Sequence, residues 1–393
     1  MSHSPSSKPV NISLLGFAGC FSMAAAMGFG RFAFTPILPG MMADIPLSVS
    51  QAGFIAAGNF TGYLVGAILA GLSWAAGKER SVALSALLST AALLFVTAFF
   101  QSVEALIVLR FLSGVASAFC MIFTSQIVLY YALKAKNERA PALHWGGVGI
   151  GIAASSLLVF LMSKVSLFEM ESWRQEWIAL SLLSLGIFGF VAKVLPSMGD
   201  GASGKRPEPQ VIWTKPIVLT TLSYGIYGFG YVVTATFLVA MARQSNSGAW
   251  IEFLAWFLTG VATVVSFSFW NPIKLKLGLE KTYAVLLLTL SAGVLASITL
   301  PITAGVLIGG FTLGATFMVI TAYAMQLSHK YAPQSPRRAF AFVTAAFGVG
   351  QIMGPAIGGW LADVSGSFVL PTAFAIAALL LAAIFVLPVV TKR

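Results

Sequence analysis

Residues 12–38 read ISLLGFAGCFSMAAAMGFGRFAFTPIL, an apolar run interrupted by one charge, Arg31. About 20 apolar residues are enough to cross a bilayer as a helix. This run is too long for the core of a signal peptide and continues past an arginine, so it predicts a permanent span. Eleven further runs of the same kind follow, at 51–76, 81–100, 105–131, 142–166, 177–195, 214–241, 250–270, 282–300, 303–327, 339–362 and 370–390. The sequence therefore predicts an all-α membrane protein of twelve spans. Two separators break the series: the Pro/Gly-rich segment 196–213, which reads as a soluble linker, and the basic stretch His329–Arg338.

Composition agrees. The 393-residue chain is 58% hydrophobic and 9% charged, whereas a water-facing domain carries roughly 25% charged residues. The net charge of +11 would suggest nucleic-acid binding in a soluble protein. Here the cations lie in short loops between apolar runs, so no nucleic-acid partner is expected. Cys20 and Cys120 both lie inside apolar runs and read as packing residues, with no disulfide framework or metal motif.

Loop cations set the expected orientation. With the N-terminus in the cytoplasm, eighteen Lys and Arg fall on that side; Lys164, Arg174 and Arg243 fall on the other. Both termini and the linker are thus expected in the cytoplasm, with the protein in a bacterial inner membrane.

The chain also repeats itself. Gly28-Phe29-Gly30 recurs as Gly228-Phe229-Gly230, Phe111 and Gly114 as Phe311 and Gly314, and Gln126 as Gln326, all at an offset of 200. Gly149 and Gly151 recur as Gly348 and Gly350, shifted by one. Matches in spans 1/7, 4/10 and 5/11 predict two pseudo-symmetric six-helix halves in parallel orientation. The expected division is 1–195, a linker at 196–213, and 214–393. Spans 3, 6, 9 and 12 hold almost nothing but apolar residues, Ser and Thr, apart from Lys193. Embedded polar groups normally face the bundle interior, so every third span is expected to face lipid.

These features resemble the major facilitator superfamily of transporters across essentially the whole chain. The resemblance is carried by Leu109-Arg110-Phe111-Leu112-Ser113-Gly114, by Gly354-Pro355-Ala356-Ile357-Gly358-Gly359, and by a degenerate loop at Gly71–Arg80. The string Gly28-Phe29-Gly30-Arg31-Phe32-Ala33-Phe34-Thr35-Pro36 is similar to the bacterial YbfB/YjiJ-type branch. The resemblance implies alternating access by rocking of two six-helix halves. The chain departs from the wider pattern in two places: Ala75 stands near the usual acidic position of loop 2–3, and span 5 lacks the proline of drug antiporters.

Chemistry centres on the embedded charges. A charge at a helix centre costs at least roughly 2.5–3.5 kcal/mol, so Arg31 and Arg110 each need a partner or a purpose. One reading is a cationic site for an anion, because guanidinium grips carboxylate or phosphate bidentately. The other is a clamp, bonded to backbone carbonyls or to Asn59. All twelve Asp and Glu fall in loops or at span ends, so no mid-membrane carboxylate neutralises the arginines, which favours an anionic substrate. Tyr224, Tyr227, Tyr231 and Thr234 share one face of span 7, and Thr312, Thr316, Tyr323 and Gln326 one face of span 10. Such stripes line cavities or simply bond helices together. The candidate substrate site comprises Arg31, Arg110, Tyr227, Tyr231, Thr35, Asn59, Gln126, Tyr323, Gln326 and Gln351.

The glycine runs 147–151 and 348–351 follow no strand, so they read as close helix packing and not as dinucleotide loops. No phosphate-binding loop suggests ATP-driven pumping, and His3, His144 and His329 have no metal spacing. No cofactor and no enzyme activity are expected. The expectation is a monomeric secondary carrier of a small organic anion, embedded in lipid, with protons as the simplest coupling ion. The proton would travel with the substrate or on Glu104, Glu252 or Asp363. The alternative is an exporter of neutral or drug-like solutes in which the arginines are structural.

Overall fold

The computed structural model describes residues 10–72, 74–165, 169–198 and 209–390. Among them every regular element is a helix, and twelve helices are long and apolar enough to cross a membrane. They are spans 1 to 12: Ile12–Asp44, Val49–Gly71, Glu79–Thr97, Val103–Lys134, Arg139–Met162, Ser172–Val194, Lys215–Gln244, Ala249–Leu277, Leu279–Thr299, Ile302–Tyr331, Pro336–Ser365 and Val369–Val389. In lipid each backbone polar group must be satisfied inside its own segment, which is why the apolar runs become continuous helices. Several starts carry polar caps: Asn11 accepts from the Leu14 amide, Ser102 from that of Ala105, and Ser48 forms a capping box with Gln51. Most of the linker, 199–208, lies outside the described residues.

Spans 1 and 7 are the most enclosed, with 72% and 83% of their central windows buried; span 6, at 28%, is the least. Span 9, at 56%, is more enclosed than spans 3 and 12, both at 39%. Span 6 also begins earlier than its apolar run suggested. Its first turns, from Ser172, carry buried Gln175 and Glu176.

Span 1 is not a uniform α-helix. Ala24–Phe32 is π-helical, between α-helical Ile12–Met23 and Phe34–Asp44. Pro36 supplies a reason, since it has no N–H to give to the Phe32 carbonyl and its ring crowds that carbonyl. The repeat-equivalent position in span 7 is Thr236, which keeps its N–H, and Lys215–Gln244 is α-helical throughout. One substitution between the repeats thus accompanies a change of helix type at the arginine.

The first six spans meet the last six along three seams: span 1 on span 7, span 2 on span 11, and span 5 on span 8. Small residues set these distances. A Cβ on Gly53 would stand 2.1 Å from the Pro355 carbonyl oxygen. Hydrogen bonds also cross the seams. Thr35 donates to the Ala235 carbonyl (2.6 Å), and Ser156 to that of Phe253 (2.9 Å). The Asp363 carboxylate accepts from the Ser48 hydroxyl (2.7 Å) and the Val49 and Ser50 amides (3.0 and 2.8 Å). All three sets lie toward one end of the bundle, the end holding Asp44, Arg243 and Asp363. Thr35 and Ala235 are repeat-equivalent, and equivalent positions can touch only near the axis relating the repeats.

Candidate functional site

The site is built around the π-helical turn. Span 4 approaches it closely through Ser117, whose hydroxyl donates to the Ala26 carbonyl at 2.7 Å. Two turns nearer the start of span 4, Arg110 is buried and donates to the carbonyls of Gly30 (2.9 Å) and Arg31 (2.8 Å). A π-to-α junction leaves carbonyls poorly served by their own helix, and the guanidinium fork meets two adjacent ones. Asn59 of span 2 ties the same point, donating to the Arg110 carbonyl at 3.0 Å and to that of Gly30 at 3.4 Å. Span 2 approaches that closely because Gly114 faces it: a Cβ there would stand 2.0 Å from the Asn59 carbonyl oxygen. Arg110 and Asn59 thus stitch spans 1, 2 and 4 together.

Arg31 is placed differently. Its side chain is buried, its Nε has no hydrogen-bond partner, and neither it nor Arg110 forms an ion pair among the described residues. Aromatic rings surround the guanidinium, with Tyr63 at 4.2 Å, Phe60 at 4.7 Å and Phe32 at 5.5 Å from their centroids. Such contacts attract a cation to the ring face but leave its charge uncompensated. The void beside it, lined by Arg31, Thr35, Asn59, Phe60, Arg110 and Thr236, has about 10 Å³, room for about one water. In this conformation the central site is closed.

Span 7 presents its tyrosines to this region as a stack. The rings of Tyr224, Tyr227 and Tyr231 lie nearly parallel, with neighbouring centroids 5.7 and 5.0 Å apart, and Phe347 of span 11 stacks on all three. Phe317 of span 10 extends the stack beside Tyr231 and meets Phe32 edge-on at 5.8 Å. Tyr227 donates to the Phe317 carbonyl at 3.0 Å, and Gln351 donates to the Tyr231 hydroxyl. The Tyr231 hydroxyl interacts electrostatically with Arg31 across the seam.

Seven of the ten residues singled out in the sequence therefore converge: Arg31, Thr35, Asn59, Arg110, Tyr227, Tyr231 and Gln351. The other three lie elsewhere. Gln126 is exposed on span 4. Tyr323 donates to Asn271 at 3.0 Å, and Gln326 accepts from Lys274 at 3.3 Å, forming a separate cluster between spans 8 and 10. Sequence reasoning missed Phe60, Tyr63, Phe317 and Phe347. Tyr63 was within reach, because it stands one turn after Asn59 on the same helical face. It also missed Glu176, a buried carboxyl one turn into span 6. His144 is buried against Ser125 at 2.8 Å, and both cysteines are buried and free, as packing residues would be.

Twelve packed spans enclosing a polar, aromatic centre are the architecture of a membrane transporter. Residues 23–387 match the family described as uncharacterised MFS-type transporter YbfB, and the chain belongs to that family of the major facilitator superfamily. Among relatives, it is 25% identical over 377 residues to the inner membrane transport protein YdhP of Escherichia coli K12, covering 89% of this chain and 88% of that one. It is 24% identical over 368 residues to a chloramphenicol resistance protein of Streptomyces lividans, with 89% and 88% covered. Solved structures share the fold. A point variant of the nucleoside transporter NupG superposes with a TM-score of 0.76 at 12% identity, covering 95% of this chain and all of that one. A bacterial homologue of the human lysosomal transporter Spinster, in an inward-facing and occupied conformation, gives 0.69 at 14% identity, with 95% of each chain covered. The chain is a multi-pass membrane transporter and not an enzyme.

Proposed function

We propose that the protein is a secondary carrier of a small organic anion, with Arg31 as the group that receives the anionic moiety. The observation that carries this reading is a buried guanidinium at the seam between the first and last six spans, ringed by aromatics and facing no carboxylate. An anion entering there would supply the missing charge through bidentate bonds. Arg110 is assigned the other role weighed for it, a clamp that fixes the π-helical turn and thereby aims Arg31. Tyr231 and Gln351 complete the site from the second half.

In this reading two six-helix halves, 1–195 and 214–393, rock about the seams, joined by the linker 196–213. Both termini are cytoplasmic, so the Asp363 end faces outward. The seam bonds at that end then describe an outward-closed state, with the central site collapsed until a substrate or coupling ion opens it. A second reading, a carrier of neutral planar solutes, is favoured by the stack of Tyr224, Tyr227, Tyr231, Phe317 and Phe347. It is also supported by the chloramphenicol-resistance relative.

The test is thermal stabilisation of the purified protein by panels of organic anions, cations and neutral aromatics, since a ligand of the native state raises stability by mass action. Anions should stabilise the wild type. Arg31→Lys should weaken the response, because an ammonium lacks the planar fork, and Arg31→Gln should abolish it while the protein still folds. Stabilisation by neutral aromatics that survives in Arg31→Gln would establish the second reading instead.

A further inference from the structure

At the Asp363 end a cavity of about 260 Å³ opens between spans 1, 5, 6, 7 and 8. Its charged lining comes from four spans: Asp44 of span 1, Glu176 of span 6, Arg243 of span 7 and Glu252 of span 8; span 5 adds Ser156 and Ser163. Three carboxyls thus share one guanidinium. That guanidinium is already engaged, because Arg243 grips Glu252 with two bonds of 2.6 Å. The nearby cations are engaged too. Arg174 holds Glu171 at 2.6 Å and the Ala98 carbonyl at 2.7 Å, and Lys164 sits over the Phe160 ring.

Glu176 is left over. Its residue is only 4% exposed, its carboxyl lines the cavity, and no hydrogen bond or ion pair holds it among the described residues. Trp173 and Trp177, both buried, flank it on its own helix. Burying an unpaired carboxylate is unfavourable, and the second negative charge at Asp44 adds to the imbalance. The carboxyls do not converge as metal ligands, since no cluster of three His, Cys, Asp or Glu with metal-binding geometry exists among the described residues. A proton is the cation that resolves the imbalance without a coordination shell.

We propose that Glu176 is a proton-binding carboxyl in the outer vestibule, protonated when the seams are closed and releasing its proton when their opening exposes the buried carboxyl to the water of the vestibule. This rests on the carrier reading above and supplies it with a coupling residue that no mid-membrane carboxylate provides. The vestibule is walled by both halves, so rocking changes the hydration of Glu176 directly. Proton binding therefore favours the closed state.

Two measurements on the full-length protein in lipid nanodiscs test the assignment. Dicyclohexylcarbodiimide reacts with protonated carboxyls in apolar surroundings, and peptide mass spectrometry locates the adduct on the wild type. Labelling of Glu176 should appear at acidic pH and fall about tenfold per pH unit above its midpoint, as for one titrating group. Labelling confined to Asp44 or Glu252, or labelling of Glu176 that ignores pH, overturns the proposal. Loss of labelling in sodium chloride but not in choline chloride, at fixed pH, also overturns it, in favour of a metal cation. Infrared titration should show a carboxylic-acid carbonyl band that is absent in Glu176→Gln and kept in Glu252→Gln; persistence of the band in Glu176→Gln refutes the assignment. Neither assay uses a substrate, so either can fail while the Arg31 test succeeds, and the reverse.

Discussion

Replacing Asp363 by Asn should loosen the seam between spans 11 and 2. The wild-type carboxylate caps the first turn of span 2, accepting three hydrogen bonds of 2.7 to 3.0 Å from Ser48, Val49 and Ser50. Losing a helix cap costs about 0.5–2 kcal/mol, and a negative charge at an exposed helix N-terminus adds about 0.3–1 kcal/mol. Asparagine keeps one acceptor oxygen, loses the charge, and turns an NH2 group toward backbone donors. Asp363 is exposed, so the low ends of these ranges apply, giving about 0.8 kcal/mol against the closed seam. A shift of that size changes a two-state ratio by about 4-fold. Spin labels at Ala43 and Gln244, at the Asp363 end of spans 1 and 7, would read the change as a longer-distance population in nanodiscs, with Cys20 and Cys120 replaced by Ser. Ser48→Ala should shift the distribution the same way by a smaller amount. Distance distributions identical to wild type in both variants would refute the idea that this cap holds the seam.

Two further predictions concern stability. Arg110→Gln should lower the melting temperature substantially, because it removes two hydrogen bonds to backbone carbonyls by a charged group, each worth about 1.5–3 kcal/mol; Arg110→Lys should rescue little, and a lysine variant that melts like wild type would exclude the clamp. Gly28→Ala should also destabilise, since its new Cβ would lie 2.4 Å from the Gly151 Cα on span 5; overpacking of this kind costs about 1–3 kcal/mol. Unchanged melting by fluorescence-detected size exclusion would show that spans 1 and 5 separate there easily.

The sequence by itself determined the twelve spans and their type, because hydropathy and segment length are local properties and lipid forces each segment to satisfy its own backbone. It also disclosed the repeat, and the offset of 200 reappears physically as the contact between Thr35 and Ala235. It named Arg31 and Arg110 as the embedded charges but could not separate their roles. The separation depends on where each side chain points after the helices rotate and tilt against their neighbours. Arg110 meets the carbonyls of Gly30 and Arg31, whereas Arg31 meets aromatic faces and the hydroxyls of Tyr63 and Tyr231. Tyr323 and Gln326 follow the same logic. They share a face of span 10 that looks like a cavity lining, but packing against span 8 gives them Asn271 and Lys274 as partners. Glu176 sits at a span end, which reads as solvated in one dimension. Only the packing of span 6 against spans 1, 3 and 5 buries it, because desolvation is produced by neighbours distant in the chain.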